Sequence, residues 1–394
     1  MTATVELPQL PFERTSPLQM PPTLRKLQSS GPIHRVRTQT GDEAWLVVGY
    51  DHTRALLGDD RLGRSHPDPG NAPRISDSVV LGGPTGNFDT EAADHARMRG
   101  LLLPHFGPKR MRGLQSRVQT LTRQLTERLA EHGPVADLQD AMAVPLPILV
   151  ICELLGVPYE DRGQFRTWTQ AAADVGDNAR SQQGMVDLFG YGNQLVARKR
   201  QEPGDDVISR LCDHEDLADH EIAVLSMTLL FAGHETTVAQ LAMSLLLLAE
   251  PSRWTALAAD PGLIDARIPE LQRYSVKGSG AGIPRYARED VRIGDTLIRA
   301  GELVLLEIGA ANHDPAVFAD PDVFDPTRPV GAPLVFGHGP YYCPGASLAT
   351  VELRAVLTEL VPRFPTMRLA VPVEEIHIRT DVLTGGLAGL PVTW

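Results

Sequence analysis

A chain of 394 residues with 42% hydrophobic and 22% charged content has the composition of a soluble globular protein large enough for an extensive core. Its net charge of −12 argues against general nucleic-acid binding, and its three unpatterned cysteines, Cys152, Cys212 and Cys343, suit a reducing compartment. Residues 1–8 carry neither the basic stretch nor the apolar one that marks export, so a cytoplasmic protein is expected. No linker, charge block or internal repeat divides the sequence, and residues 1–394 are expected to form a single domain.

Residues 1–60 contain an apolar strand-like piece, Ala44 to Val48, and a helical pattern near Thr53 to Leu57, which together predict a small sheet with flanking helices. Residues 61–90 are rich in Gly, Pro, Asp and Ser and lack periodicity; irregular stretches of that length are usually functional. From Asp94 the pattern turns helical, with runs around 94–103, 109–132, 138–155, 161–174, 180–200 and 219–250. The last run is apolar almost throughout, apart from Gly233-His234-Glu235-Thr236-Thr237 at its middle. Its two apolar halves are each shorter than a bilayer requires, so no membrane span is expected. Residues 281–306 read as strands, followed by a meander rich in Pro and Asp to Pro329. Leu353, Val356, Leu357 and Leu360 mark a final helix, and two short strands are expected around Leu383 to Leu387. The fold class is mainly α with a minor β region.

Cys343 lies in Phe336-Gly337-His338-Gly339-Pro340-Tyr341-Tyr342-Cys343-Pro344-Gly345, just before that final helix. Gly339 and Gly345 would let the backbone turn tightly and bring amide N–H groups to the sulfur, and a helix N-terminus nearby would favour thiolate over thiol. An isolated cysteine is more simply a buried structural one; the flanking glycines favour presentation of a thiolate to haem iron. In the 219–250 run a glycine and a buried carboxylate each cost stability. They fit either a kinked core helix with a solvated polar patch or a proton-delivering acid. His95 and Arg99 fall on one helical face and suit a carboxylate partner, or form a solvated basic face. Glu270 and Arg273, three apart, are an ordinary helical ion pair when taken alone.

At these positions the chain resembles the cytochrome P450 superfamily. Phe336, Gly337, Gly339, Cys343 and Gly345 match its haem loop, with Tyr341 where a His or Arg usually faces a haem propionate. Ala232, Gly233, His234, Glu235 and Thr236 match its Ala-Gly-x-Asp/Glu-Thr pattern, His234 at the variable position. The resemblance implies a cytochrome P450 fold holding haem between the long central helix and the cysteine loop with the last helix. It implies haem b with Cys343 as axial metal ligand, Ala232 and Gly233 opening a dioxygen groove, and Glu235 with Thr236 as the catalytic acid–alcohol pair. It further implies propionate contacts from His95, Arg99 and Arg285, and a structural ion network of Glu270, Arg273 and Arg328.

The implied reaction is oxidation of a bulky small molecule with dioxygen, ending in hydroxylation, oxidative C–C or C–N coupling, or desaturation. Electrons would come from NAD(P)H through a reductase and an iron–sulfur ferredoxin, for which Lys109, Arg110 and Arg112 are candidate docking cations. The family positions make Ser65, Thr237, Ser279, Ile283 and Leu387 candidates for the substrate pocket, and Gly278, Gly280 and Gly282 leave room for a bulky, planar ligand. Similarity of short runs to actinobacterial biosynthetic members points to tryptophan-containing cyclodipeptides, with macrolide or polyketide hydroxylation as the alternative. A haem sensor or electron carrier is the reading from a different class; Glu235 and Thr236 argue against it, because a sensor needs no distal proton source.

Overall fold

The fold comes from a computed structural model, which describes residues 6–78, 82–174, 177–276, 282–329, 331–379 and 386–394. In chain order the helices and strands begin with α1 (Pro22–Ser30), β1 (Ile33–Arg37), β2 (Glu43–Val47), α2 (Tyr50–Leu57), β3 (Leu62–Gly63), α3 (Glu91–Leu102) and α4 (Pro108–Glu131). They continue with β4 (Val135–Asp137), α5 (Pro145–Leu155), α6 (Arg162–Ala172), α7 (Asn178–Gln201), α8 (Val207–Cys212), α9 (Asp219–Leu248), α10 (Pro251–Ala259) and α11 (Ile264–Ser275). The last stretch holds β5 (Ile283–Ala287), β6 (Val291–Ile293), β7 (Thr296–Ile298), β8 (Leu303–Leu306), α12 (Ile308–Ala311), α13 (Ala346–Arg363), β9 (Arg368–Leu369) and β10 (Pro391–Thr393). Contacts group the chain into two compact units, Met1–His95 with Pro269–Cys343 and Ala96–Ile268 with Pro344–Trp394.

The first unit is built on a five-stranded sheet in the order β1-β2-β8-β5-β3, in which only β2 and β8 run parallel. All four residues of β8 are buried because the sheet is covered on both faces. Their side chains alternate between two cores. Val304 and Leu306 join Val47, Leu56 and Phe318 on one face, while Leu303 and Leu305 join Leu46, Val48 and Tyr286 on the other.

The second unit is organised around α9, 30 residues and about 45 Å long. Its buried side chains occur all around the helix, which explains why the sequence there is apolar with no amphipathic stripe. The helix runs unbroken through His234 and Glu235 and joins the two apolar halves. Its length and hydropathy would suffice to cross a bilayer, yet 56% of its most apolar stretch is buried inside the protein, as in a core helix. The expected 138–155 helix is divided: a π-helical turn, Gln139–Ala143, precedes α5, which starts with Pro145 at its first position. The short α8 was not foreseen; Asp206 caps it by accepting the Ser209 N–H at 2.8 Å. A second sheet, β4-β10-β9, pairs Val392 with both Ala136 and Leu369. Of the expected strands around Leu383 to Leu387, residues 380–385 lie outside the described residues. The flanking chain forms an antiparallel ladder, with Arg379 N–H on the Gly386 carbonyl and Ala388 N–H on the His377 carbonyl, both at 2.9 Å.

Candidate active site

In the first unit Cys343 is half-buried at the end of a loop held by its own backbone. Its N–H donates to the Phe336 carbonyl at 2.8 Å, and the Gly337 N–H donates to the Leu334 carbonyl at 2.8 Å. Gly337 and Gly339 have φ of +75° and +68°, a region that side chains disfavour. A Cβ on Gly339 would also lie 2.9 Å from Gly58 Cα, so the loop sits directly against the end of α2. Gly345, in contrast, has φ −84°, which any residue adopts; the tight turning assigned to it in the sequence belongs to Gly337 instead.

Tyr341 organises the groups next to this loop. Its hydroxyl donates to Glu91 Oε1 at 2.8 Å, its ring stacks on His95 at 4.1 Å, and the guanidinium groups of Arg64 and Arg285 lie 4.7 and 4.6 Å from its ring centre. Glu91 also accepts the N–H groups of Arg64 and Ser65, at 2.7 and 3.0 Å, and the Ser65 hydroxyl. Burial pushes the Glu91 carboxyl up, but these hydrogen bonds together outweigh it and hold the carboxyl below its ordinary range. Ser65 was expected in the substrate pocket. It is instead fully buried with its hydroxyl committed to Glu91, which is a correction.

Arg285 is only 4% exposed and makes no ion pair among the described residues; one of its terminal nitrogens donates to the Pro284 carbonyl at 2.8 Å. Burial, aided by repulsion from Arg64, pushes its guanidinium down to about 10. A buried cation beside a second cation is a site for an anion. With the Cys343 thiol in the same unit, this is the donor set haem calls for: a sulfur for the metal and cations for its carboxylate arms. Arg64 was missed in the sequence because it lies in the irregular 61–90 stretch, where no periodicity assigns a direction to a side chain. Arg99, one turn beyond His95 along α3, is half-buried. The three ion-network residues do meet. Arg273 pairs bidentately with Glu270 at 2.7 Å for both bonds, and Arg328 Nε reaches the same carboxylate at 3.2 Å.

In the second unit neighbouring residues of α9 face different ways. His234 and Glu235 are buried, whereas Ala232 and Thr236 are exposed, and the Thr236 hydroxyl donates to the Ala232 carbonyl at 2.8 Å. Among the described residues no hydrogen bond joins Glu235 to Thr236. Burial raises the Glu235 carboxyl above its ordinary range, against the pull of Arg379 and Arg166. A Cβ on Gly233 would stand 3.1 Å from Ile151 Cδ1. That glycine therefore serves the close approach of α5.

The remaining expected site residues lie apart from one another. Thr237 is buried on α9, and Ile283 is half-buried at the start of β5 opposite Leu306. Leu387 is fully buried in the ladder with Ile378, and that ladder places Gly386 beside Ala239 of α9. Ser279, Gly278 and Gly280 lie outside the described residues. Lys109 and Arg112 are exposed, but Arg110 is paired with Asp205 at 3.2 Å and is withdrawn from the docking set.

The chain is similar to known proteins over nearly its whole length. The family model described as Cytochrome P450 matches residues 261–380. A pentalenolactone synthase of Streptomyces exfoliatus is 42% identical over 399 residues, spanning 99% of this chain and 100% of that protein. The mycinamicin IV hydroxylase/epoxidase of Micromonospora griseorubida is 37% identical and covers 98% of each chain. The substrate-free structure of cytochrome P450 PimD, a polyene macrolide antibiotic pimaricin epoxidase, superposes with a TM-score of 0.89 at 38% identity, over 98% of this chain and 99% of that one.

Proposed function

The chain belongs to the cytochrome P450 family and is a cytochrome P450 monooxygenase; from that premise we propose that Cys343 is the axial ligand of haem b and that the substrate is a bulky macrolide-type polyketide. Haem supplies the activation of dioxygen and the oxidation of a C–H or C=C bond. Arg285, Arg64, His95 and Arg99 would hold its carboxylate arms, and Tyr341 would keep the two guanidinium groups of Arg64 and Arg285 apart on its ring. The observation that carries the haem assignment is Arg285, a buried cation with no carboxylate partner beside a second cation. Glu235, whose carboxyl burial raises above its ordinary range inside the second unit, would be the proton source, and Thr236 would pass the proton on from the exposed side of α9. Electron supply from NAD(P)H through a reductase and a ferredoxin, a cytoplasmic setting and action of residues 1–394 as one domain belong to the same proposal.

The sensor reading falls away with the family assignment. Between the two substrate readings, the named relatives favour the polyketide alternative: two of them are called epoxidases, one of these of a polyene macrolide antibiotic, and none is named for a cyclodipeptide. Optical titration of the purified ferric protein tests the choice by following the Soret band. A low-spin to high-spin shift with a macrolactone and none with a tryptophan-containing cyclodipeptide is expected. The reverse pattern would overturn the substrate class, and a haem spectrum that survives Cys343→Ala with its thiolate character intact would overturn the ligand.

A further inference from the structure

His234 has no part in the relay described so far. Its ring is 1% exposed in the middle of α9, and neither ring nitrogen has a hydrogen bond of good geometry among the described residues. Two polar neighbours lie close to it: Glu235, whose Oε1 is 3.4 Å from Nδ1, and the main chain of Val144, just ahead of α5. An unsatisfied imidazole in such a place costs about 1–3 kcal/mol that an apolar side chain would not. Burial pushes the ring down to about 4, against the raising effect of the Val144 backbone, so it is neutral at physiological pH.

A neutral imidazole has one N–H and one bare nitrogen. The Val144 carbonyl can only accept, so the N–H belongs there. The bare nitrogen is then left for the carboxyl, and two acceptors attract each other only when one carries a proton. We infer that His234 is a positioning residue for Glu235: protonated on Nε2 toward Val144, it presents bare Nδ1 to the carboxyl and keeps that acid in its proton-bearing form. The inference rests on the relay reading of Glu235 and Thr236. The charged groups facing the pair oppose it. Arg166 on α6, 3.9 Å from Asp140 of the π-helical turn, and Arg379 near the C-terminal ladder both favour the ionised carboxylate. Without His234 burial alone would be left to oppose those cations, and Glu235 would lose its proton at lower pH.

Two measurements on the holoenzyme test this. In ring-15N-histidine protein in the diamagnetic ferrous–CO form, with the His234 signals assigned by their loss in His234→Gln, a bare Nδ1 and a protonated Nε2 are expected between pH 6 and 8. A protonated Nδ1 or a charged ring would overturn the inference. The second is peroxide released per electron consumed, followed against pH. His234→Leu should bring the onset of leakage to lower pH, and His234→Gln, whose amide can donate to Val144 and accept from Glu235, should restore it. An unshifted onset in His234→Leu, in protein for which Glu235→Gln does leak, would sink the positioning role alone. No leakage from Glu235→Gln would sink the relay itself. If His234→Leu fails to fold, the nitrogen signals of the wild-type protein still decide.

Discussion

Thr236 gives its hydroxyl to the Ala232 carbonyl one turn back in α9, and Glu235 beside it faces the interior. Such a back-bond to residue i−4 adds nothing to helix stability and slightly weakens it. The Thr236→Ala variant should therefore unfold within about 0.5 kcal/mol of the wild type, the range of substitutions away from buried features. Its effect belongs to chemistry instead: product formed per electron should fall and peroxide rise, with haem content and substrate-induced spectral shift unchanged. A variant with wild-type coupling would remove Thr236 from the relay. The same scale shows why side-chain direction escaped the sequence. Adjacent helical residues point about 100° apart, so a motif places Glu235 and Thr236 together in the chain while the helix turns them to different surroundings. Ser65 escaped for another reason: its partner Glu91 is 26 residues away, beyond any local pattern.

The long helices were legible because a dozen or more residues of 3.6-residue periodicity are hard to imitate; α4, α7 and α9 each fall close to the expected spans, and α13 contains Leu353, Val356, Leu357 and Leu360, which marked the final helix. The six-residue α8, the π-helical turn and the two- and three-residue strands of the second sheet are too short to leave a signal. In α13 one residue contradicts the pattern. Glu352 is 1% exposed next to Leu353, and its Oε2 has no hydrogen-bond partner among the described residues. Burial raises its carboxyl well above the ordinary range. A folded-state pKa above the unfolded one gives stability that is whole below about 4.3 and is lost as pH rises toward the folded value, by about 1.4 kcal/mol per pH unit in that window. Glu352→Gln has no such dependence. Its unfolding temperature should gain on the wild type steadily from pH 5 upward until the folded pKa is passed, as thermal unfolding at several pH values would show. Parallel curves for the two proteins would mean that Glu352 is charged in the fold.

For the whole molecule the order of motifs along the chain carried most of the information: a cysteine loop, an acid–alcohol pair and an ion network in sequence are specific where each alone is not. The chain's charge of −12 carried little, because it says nothing of where the cations lie. At physiological ionic strength charges act over about 8 Å, so the proposed ferredoxin partner would respond to the local surface rather than to the total. The first turn of α4 exposes Lys109 and Arg112 with no acidic side chain in it, and the positive end of the helix adds to them. Arg110, neutralised by Asp205, should contribute little. Reduction by an acidic ferredoxin, followed by stopped-flow absorbance, should slow as salt screens this patch. In the double variant Lys109→Glu with Arg112→Glu it should start slow and quicken with salt, because only the repulsion of an acidic protein is left to screen. Arg110→Gln should follow the wild type. A wild-type rate that climbs with salt throughout would put the docking surface elsewhere on the molecule.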